Sequence, residues 1–174
     1  MIAFRHTDPR YPFLWESRSQ PAGRWHAQGE GPAHYFSDTP DGAWAEFLRH
    51  EEITEPEDLS GIRRALWVGD MGGEPPQRPT MPLHVTTGGP ETYERCQAEA
   101  RRLRAEGATA IAAPSAALLP GAARGWRVDG GLRPGTARDG RVFVLYGPRP
   151  DLTGWATTVA GRPGSELLPH VRHF

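Results

Sequence analysis

The sequence has 174 residues, of which 37% are hydrophobic and 24% are charged, and these proportions are typical of one globular domain. Its 20 basic and 21 acidic residues leave a net charge of -1, which argues against direct binding to nucleic acid or to an anionic membrane. The single cysteine excludes an internal disulfide, and no apolar run reaches the roughly 18 residues that a membrane-spanning helix needs.

These features lead us to expect one cytoplasmic domain over residues 1–174. The start of the chain has no charged segment followed by an apolar run, so the sequence predicts no secretory signal. Every basic residue is Arg, which excludes a phosphate loop that needs Lys. With one Cys and no HExxH or HxH motif, we expect no metal site.

The first half of the chain predicts one strand and one helix after an irregular start. Many Pro and Gly residues make residues 1–31 irregular. The aromatic stretch 32–37 predicts a short strand, and an N-cap candidate in Asp38-Thr39-Pro40 begins a helix over 40–52. Trp44, Phe47 and Leu48 share one side of that helix.

The middle of the chain predicts two strands around a loop and then the clearest helix. Residues 62–68 and 83–87 are the predicted strands, and the Pro-rich stretch 69–82 is the loop. Apolar residues with helical spacing predict a helix over 90–106, and Gly107 stops it. These apolar positions are Tyr93, Cys96, Ala100 and Leu103.

The last third predicts two buried strands within much loop. Residues 108–113 form a short apolar strand that delivers Ser115 to a loop. Residues 141–146 read as a strand buried on both faces, and residues 167–171 as an edge strand. The elements together predict an α+β fold with short helices.

One segment resembles a known family. The run AGRW...G..P..Y.SDTP..A.AE.LRH, from Ala22 to His50, resembles the RES domain family, which is named for its Arg, Glu and Ser motifs. Ser115, in AAPSAALLP, lies where the Ser motif of that family falls. The resemblance extends from about Phe4 to about Tyr146 and is densest in residues 22–50.

The resemblance implies a fold, an activity and a partner. RES proteins are bacterial toxins that consume NAD, are related to mono-ADP-ribosyltransferases, and are usually encoded beside an Xre-type antitoxin. It implies an ADP-ribosyltransferase-like fold in which small antiparallel or mixed sheets flank an NAD cleft. NAD is then a substrate, cleaved by a glycohydrolase or phosphorylase or used to transfer ADP-ribose to a protein.

The resemblance also implies a set of site residues. Arg24 would bind the NAD phosphates or ribose, and Tyr35 would stack on nicotinamide. Glu46 would contact the nicotinamide ribose, Ser115 would line the same pocket, and Arg5 matches an early Arg of the family. These residue types suit the chemistry, because cleavage of the glycosidic bond develops oxocarbenium character that a carboxylate stabilises.

Each site residue also has a purely structural interpretation. Taken alone, Arg24 is expected to be a solvated Arg. Tyr35 is expected to pack in the core, and Ser115 is expected to be a turn residue. Glu46 lies about 200° around the helix from Trp44, at 100° per residue, so periodicity alone predicts exposure to solvent. A cleft formed by the N-terminal segment over that side of the helix would give Glu46 a functional setting instead.

Two departures from the family keep a second interpretation open. His26 stands where the family often has Asn, and no Asn-Pro element follows the Ser motif. The alternative is a non-catalytic nucleotide- or protein-binding module of the same fold. Within the enzyme class, the sequence does not select water, phosphate or a protein as the acceptor.

Overall fold

Eight strands and three α-helices make up the computed structural model, which describes residues 1–17, 19–73 and 75–174. Six strands form one antiparallel sheet in the order β4-β7-β2-β1-β3-β8. They are β1 (Ile2–Thr7), β2 (Ala33–Ser37), β3 (Arg64–Asp70), β4 (Ala110–Pro114), β7 (Arg141–Tyr146) and β8 (Thr153–Gly161). A separate antiparallel ribbon joins β5 (Trp126–Val128) and β6 (Leu132–Pro134). The α+β prediction with small antiparallel sheets is confirmed.

The first long helix, α1 (Pro40–His50), begins as predicted. The Thr39 hydroxyl accepts the N–H of Gly42 at 2.9 Å, which satisfies one of the free donors at the helix start, and Pro40 occupies the first turn. Trp44, Phe47 and Leu48 are buried in a core with residues of β1 and β3. The helix ends at His50, two residues before the predicted end.

The second long helix, α3 (Tyr93–Ala105), follows a 3-10 turn over Pro90–Thr92. Its buried residues are Cys96, Ala100 and Leu103, as the spacing predicts. Gly107 has φ of +95° and ends the helix in a conformation that other residues rarely adopt. Both α1 and α3 cover one face of the sheet, and a third core cluster lies on the opposite face.

Two predicted strands are helices in the structure. Residues 83–87 contain helix α2 (Leu83–Thr86), because the N–H groups of Thr86 and Thr87 bond back to the carbonyls of Pro82 and Leu83. The predicted edge strand over 167–171 is mostly a 3-10 helix, Ser165–His170, with Leu167 buried against α1. Both segments are too short for their apolar pattern to separate helix from strand.

Three regions predicted as loop contain strands. The opening segment holds β1, and the segments predicted as loop on either side of β7 hold the β5–β6 ribbon and β8. β5, β6 and most of β8 are exposed, so their sequences lack the apolar alternation that marks a half-buried strand.

No helix in the part of the chain described is both long and apolar enough to cross a membrane.

The sheet opens where its two halves meet. β1 pairs with β3 along its whole length, from Ile2 to Thr7. Its pairing with β2 is short and aligns Phe4 with Ser37. β2 in turn pairs along its length with β7. Beyond Phe4 the first two strands therefore diverge, and the gap between them is where the cavity described below lies.

Candidate active site

A cavity of about 830 Å³ occupies the opening between β1 and β2. Residues 4–8 line one side and residues 35–37 the other, while residues of α1, of the stretch 11–15 and of the stretch 20–26 complete its walls. The cavity brings together four of the five residues singled out in the sequence, and Ser115 lies directly beside it, next to the lining residue Ala116. The four lining residues are Arg5, Arg24, Tyr35 and Glu46.

Glu46 points into this cavity from α1. Its side chain is 22% exposed, which differs from the full exposure that helix periodicity predicts, because the loop after β4 approaches that side of the helix and places the Ser115 Oγ 3.5 Å from the Glu46 Oε1. Burial raises the pKa of the Glu46 carboxyl, and the positive charges of His50, Arg49 and Arg24 partly oppose that rise. The His50 Nε2 lies 3.9 Å from the Glu46 Oε2.

Tyr35 is held on the wall of the cavity by its hydroxyl group. The hydroxyl accepts the backbone N–H of Trp25 at 3.0 Å and lies 2.9 Å from Nδ1 of His26. A Cβ on Gly23 would come within 2.7 Å of that hydroxyl, so the turn before Arg24 needs a glycine. Burial raises the pKa of Tyr35 well above its usual value, so the phenol stays neutral.

The guanidinium of Arg24 donates hydrogen bonds to other parts of the protein. Its Nη1 donates to the Thr92 hydroxyl at 3.0 Å and more weakly to the Val85 carbonyl at 3.4 Å, and its Nη2 donates to the Gly88 carbonyl at 2.6 Å. The guanidinium carbon also lies 4.7 Å from the ring centre of Tyr93. Arg24 therefore ties the turn that carries it to the start of α3.

Arg5 has a guanidinium nitrogen that the protein does not use. Its Nη1 is buried without a hydrogen-bond partner among the described residues. Burial lowers the pKa of Arg5 from its ordinary value to about 10, so the side chain is still charged at neutral pH. A buried charge without a partner is costly, and an anion in the cavity would satisfy it.

Ser115 shapes the loop that follows β4. Its Oγ accepts the backbone N–H groups of Ala117 at 3.2 Å and Leu118 at 3.1 Å. The same Oγ lies 3.5 Å from the Glu46 Oε1, so the loop and the carboxylate are in contact. The Ser115 hydroxyl therefore acts as a turn residue for its own loop and also contacts the Glu46 carboxylate.

The loop contacts of Ser115 give a stability prediction. We expect Ser115→Ala to lower the free energy of unfolding by about 1–2 kcal/mol, because two buried N–H groups lose their acceptor. Ser60→Ala is the control, because the Ser60 hydroxyl is exposed and donates to the Glu57 carbonyl. Urea unfolding of both variants measures the difference, and equal stabilities would contradict this role.

The sequence did not single out Arg49, which is 2% exposed and lines the cavity. Its Nη1 donates to the carbonyls of Ala116 at 2.6 Å and Arg172 at 2.9 Å, and its Nη2 donates to that of Gly88 at 2.9 Å. The signal was present in the sequence, because Arg49 and His50 follow Glu46 by three and four positions on α1 and so share its side.

The cavity is cationic and aromatic, and two carboxylates line it, those of Glu46 and Asp8. The Asp8 carboxylate accepts hydrogen bonds from the Arg10 guanidinium. Among the residues that the structure describes, no group of three or more His, Cys, Asp or Glu side chains could hold a metal ion. Such a lining suits a ligand that combines anionic groups with flat rings. The Glu46 carboxylate is placed to stabilise a positive charge that forms on such a ligand.

Comparison with known proteins gives a family and a fold. The model of the RES domain matches residues 2–126. No curated protein matches the chain. Among solved structures, the crystal structure of the Mycobacterium tuberculosis MbcT-MbcA toxin-antitoxin complex matches with a TM-score of 0.58 and 15% identity, over 97% of this chain and 86% of that chain. At this identity the similarity is one of fold.

Proposed function

The chain belongs to the RES domain family, and from this membership we propose that it is an NAD-consuming toxin that cleaves the bond between nicotinamide and ribose. One observation carries the proposal. A single cavity holds the Glu46 carboxylate, the unpaired guanidinium nitrogen of Arg5 and the aromatic ring of Tyr35. A positive charge that forms during the reaction, a pyrophosphate and a flat ring each find a matching group there.

In the proposed reaction, the bond between the ribose C1′ and the nicotinamide nitrogen breaks. The electron pair leaves with nicotinamide, and the ribose gains oxocarbenium character that the Glu46 carboxylate stabilises. Tyr35 stacks on the nicotinamide ring and holds the leaving group. Ser115 positions Glu46 through the 3.5 Å contact between Oγ and Oε1.

The two arginines have different parts in the proposal. Arg5 binds the phosphates directly, because its Nη1 has no partner among the described residues. Arg24 contributes positive charge to the cavity wall and holds the wall in place, because both of its terminal nitrogens already donate to the protein. Both arginines therefore belong to the proposed NAD site.

The product identifies the acceptor of the ADP-ribosyl group. Water gives ADP-ribose and a proton, phosphate gives its phosphate ester, and a protein side chain gives a labelled protein. Purified protein is incubated with NAD, with and without phosphate, and the products are separated by chromatography. Release of free nicotinamide supports the proposal, and its absence under every condition contradicts it.

A protein partner and a cellular location also follow from the proposed function. The similar MbcT is named as the toxin of a complex with the antitoxin MbcA. We propose an Xre-type antitoxin as the partner of this chain and the cytoplasm, where NAD is present, as its location. Residues 1–174 would act as one RES-like domain, and depletion of NAD would cause the toxicity.

The raised pKa of Glu46 predicts the pH dependence of the reaction. The ionised carboxylate is the active form, and burial moves its pKa above the ordinary Glu value of 4.5. We therefore expect kcat to rise with pH through a midpoint above 4.5 and to be lost below it. The measurement is nicotinamide release across pH, and a midpoint at or below 4.5 would contradict an ionised, buried Glu46 in catalysis.

A non-catalytic nucleotide-binding module remains the second candidate. The observation that favours it is the use of both terminal nitrogens of Arg24 within the protein, which leaves fewer free donors for a pyrophosphate. The module predicts that NAD binds without release of nicotinamide. Calorimetric binding measured beside the product assay separates the two candidates.

A further inference from the structure

Two aromatic side chains at the cavity are left largely in solvent. Tyr11 is 65% exposed and Trp15 is 52% exposed, although both line the cavity. Burial of a large aromatic ring is a strong driving force in folding, and most of it is unused at these two positions. Neither ring has a role in the proposed cleavage. The Arg10 guanidinium carbon lies 5.7 Å from the ring centre of Tyr11, and the Trp15 ring has no such contact among the described residues, so Trp15 is the more available of the two to a ligand.

The segment that carries these rings crosses the face of the sheet opposite α1. Phe13, between them, stacks on Trp67 with ring centroids 5.3 Å apart and packs against the core cluster of that opposite face. Trp67 alternates along β3 with Leu66, which belongs to the core that contains α1. Tyr11 and Trp15 are therefore anchored to the far face of the sheet from α1.

The cavity consequently reaches both faces of the sheet through the opening between β1 and β2. Glu46 stands on α1 at one end, and the exposed rings of Tyr11 and Trp15 are at the other. Arg5 alternates with Phe4 along β1, and its guanidinium carbon lies 5.8 Å from the ring centre of Phe36, in the core of the far face. The unpaired charge of Arg5 is thus on the side of the exposed rings.

We propose that Trp15, together with Tyr11, is the stacking platform for the adenine base of NAD, and that Arg5 takes the phosphate next to it. This inference rests on the proposed function, because it assigns the second half of the same substrate. A cavity of about 830 Å³ is of the size that holds a whole cofactor. A dinucleotide has a flat ring at each end and its negative charge between them, which matches the order of the lining residues.

The test compares two substrates that differ in the adenosine half. Nicotinamide release is measured with NAD and with nicotinamide mononucleotide, which lacks adenosine. Loss of a stacked base costs about 5- to 150-fold in binding, so we expect Trp15→Ala to raise KM for NAD by that factor. KM for the mononucleotide and kcat for both substrates stay within about two-fold, and Trp15→Phe restores most of the affinity for NAD.

A matched control is available on β8. Trp155 is 53% exposed, as Trp15 is, and lies outside the cavity lining formed by the described residues. We expect Trp155→Ala to leave KM for both substrates unchanged. An equal effect of Trp15→Ala on NAD and on the mononucleotide, or no effect on either, would overturn the assignment of the base.

Binding of ADP-ribose separates this inference from the proposed function. Calorimetry with ADP-ribose needs no cleavage, and we expect Trp15→Ala to weaken its binding by the same factor while Trp155→Ala does not. If no variant releases nicotinamide but this difference persists, the proposed reaction fails and the base platform stands. If ADP-ribose binds the wild type and the Trp15 variant equally, the platform is wrong whatever the reaction.

Discussion

Glu46→Gln is expected to abolish release of nicotinamide without unfolding the protein. The amide keeps the size of the side chain but removes the negative charge that stabilises the oxocarbenium-like transition state. Loss of one such electrostatic interaction lowers kcat by about 10²- to 10³-fold, and we expect at least that effect here. The measurement is the rate of nicotinamide release with NAD in excess.

The same substitution predicts the opposite effect on stability. Burial raises the pKa of Glu46, so the contribution of this group to folding is complete below the pKa of the unfolded chain and is lost as pH rises through the folded value. At neutral pH the buried carboxylate is a cost, and we expect the free energy of unfolding of Glu46→Gln to equal or exceed that of the wild type. A variant that loses both activity and stability would not support the catalytic role.

Glu94→Gln is the control for this experiment. Glu94 lies in the first turn of α3, and its side chain is exposed and outside the cavity lining in the described part of the chain. We expect its nicotinamide release to match that of the wild type. If Glu46→Gln folds normally and releases nicotinamide at the wild-type rate, the proposed catalytic role of Glu46 is wrong.

Arg49→Ala is expected to have the largest effect on stability. The guanidinium of Arg49 donates to the carbonyls of Ala116, Arg172 and Gly88, and its carbon lies 4.2 Å from the ring centre of Phe174. Removal leaves three carbonyls without this donor. A hydrogen bond with a charged partner contributes about 1.5–3 kcal/mol, and the Ala116 and Gly88 carbonyls keep a second donor, from Arg172 and Arg24, so we expect a cost of about 3–5 kcal/mol.

Guanidinium chloride unfolding of Arg49→Ala and of Arg63→Ala tests this role. Arg63 is exposed and bonds to the carbonyls of Ser60 and Ile62 near its own position, so its loss should cost less than about 0.5 kcal/mol. Equal midpoints for the two variants would show that Arg49 does not join α1 to the loop after β4 and to the segment near residue 172.

The local signals in the sequence located the two long helices and four strands of the six-stranded sheet, β2, β3, β4 and β7. Thr39 and Pro40 mark the start of α1, and Gly107 marks the end of α3, because capping and backbone preferences act within a few residues. The continuous apolar run over residues 142–146 marks β7, because a strand inside the sheet is covered on both faces.

Two strands of the sheet, β1 and β8, carried no such signal. β1 has the polar residues Arg5 and His6 in its middle, and both line the cavity. β8 is an edge strand with exposed side chains on both faces, so its sequence shows no alternation. The short stretch 83–87 has an apolar pattern that fits helix and strand equally, and the backbone bonds to Pro82 and Leu83 decide for the helix.

The sequence by itself determined the fold class, the family resemblance and five candidate site residues. Only the tertiary structure decided what those residues contact, because the loop after β4 approaches α1 and Glu46 shares a cavity with residues 20–26, so its surroundings differ from the solvent that periodicity predicts. In a chain whose basic residues are all Arg, residue type alone does not distinguish the internally bonded Arg24 and Arg49 from Arg5. The difference lies in which acceptors reach each guanidinium, and these come from distant parts of the chain.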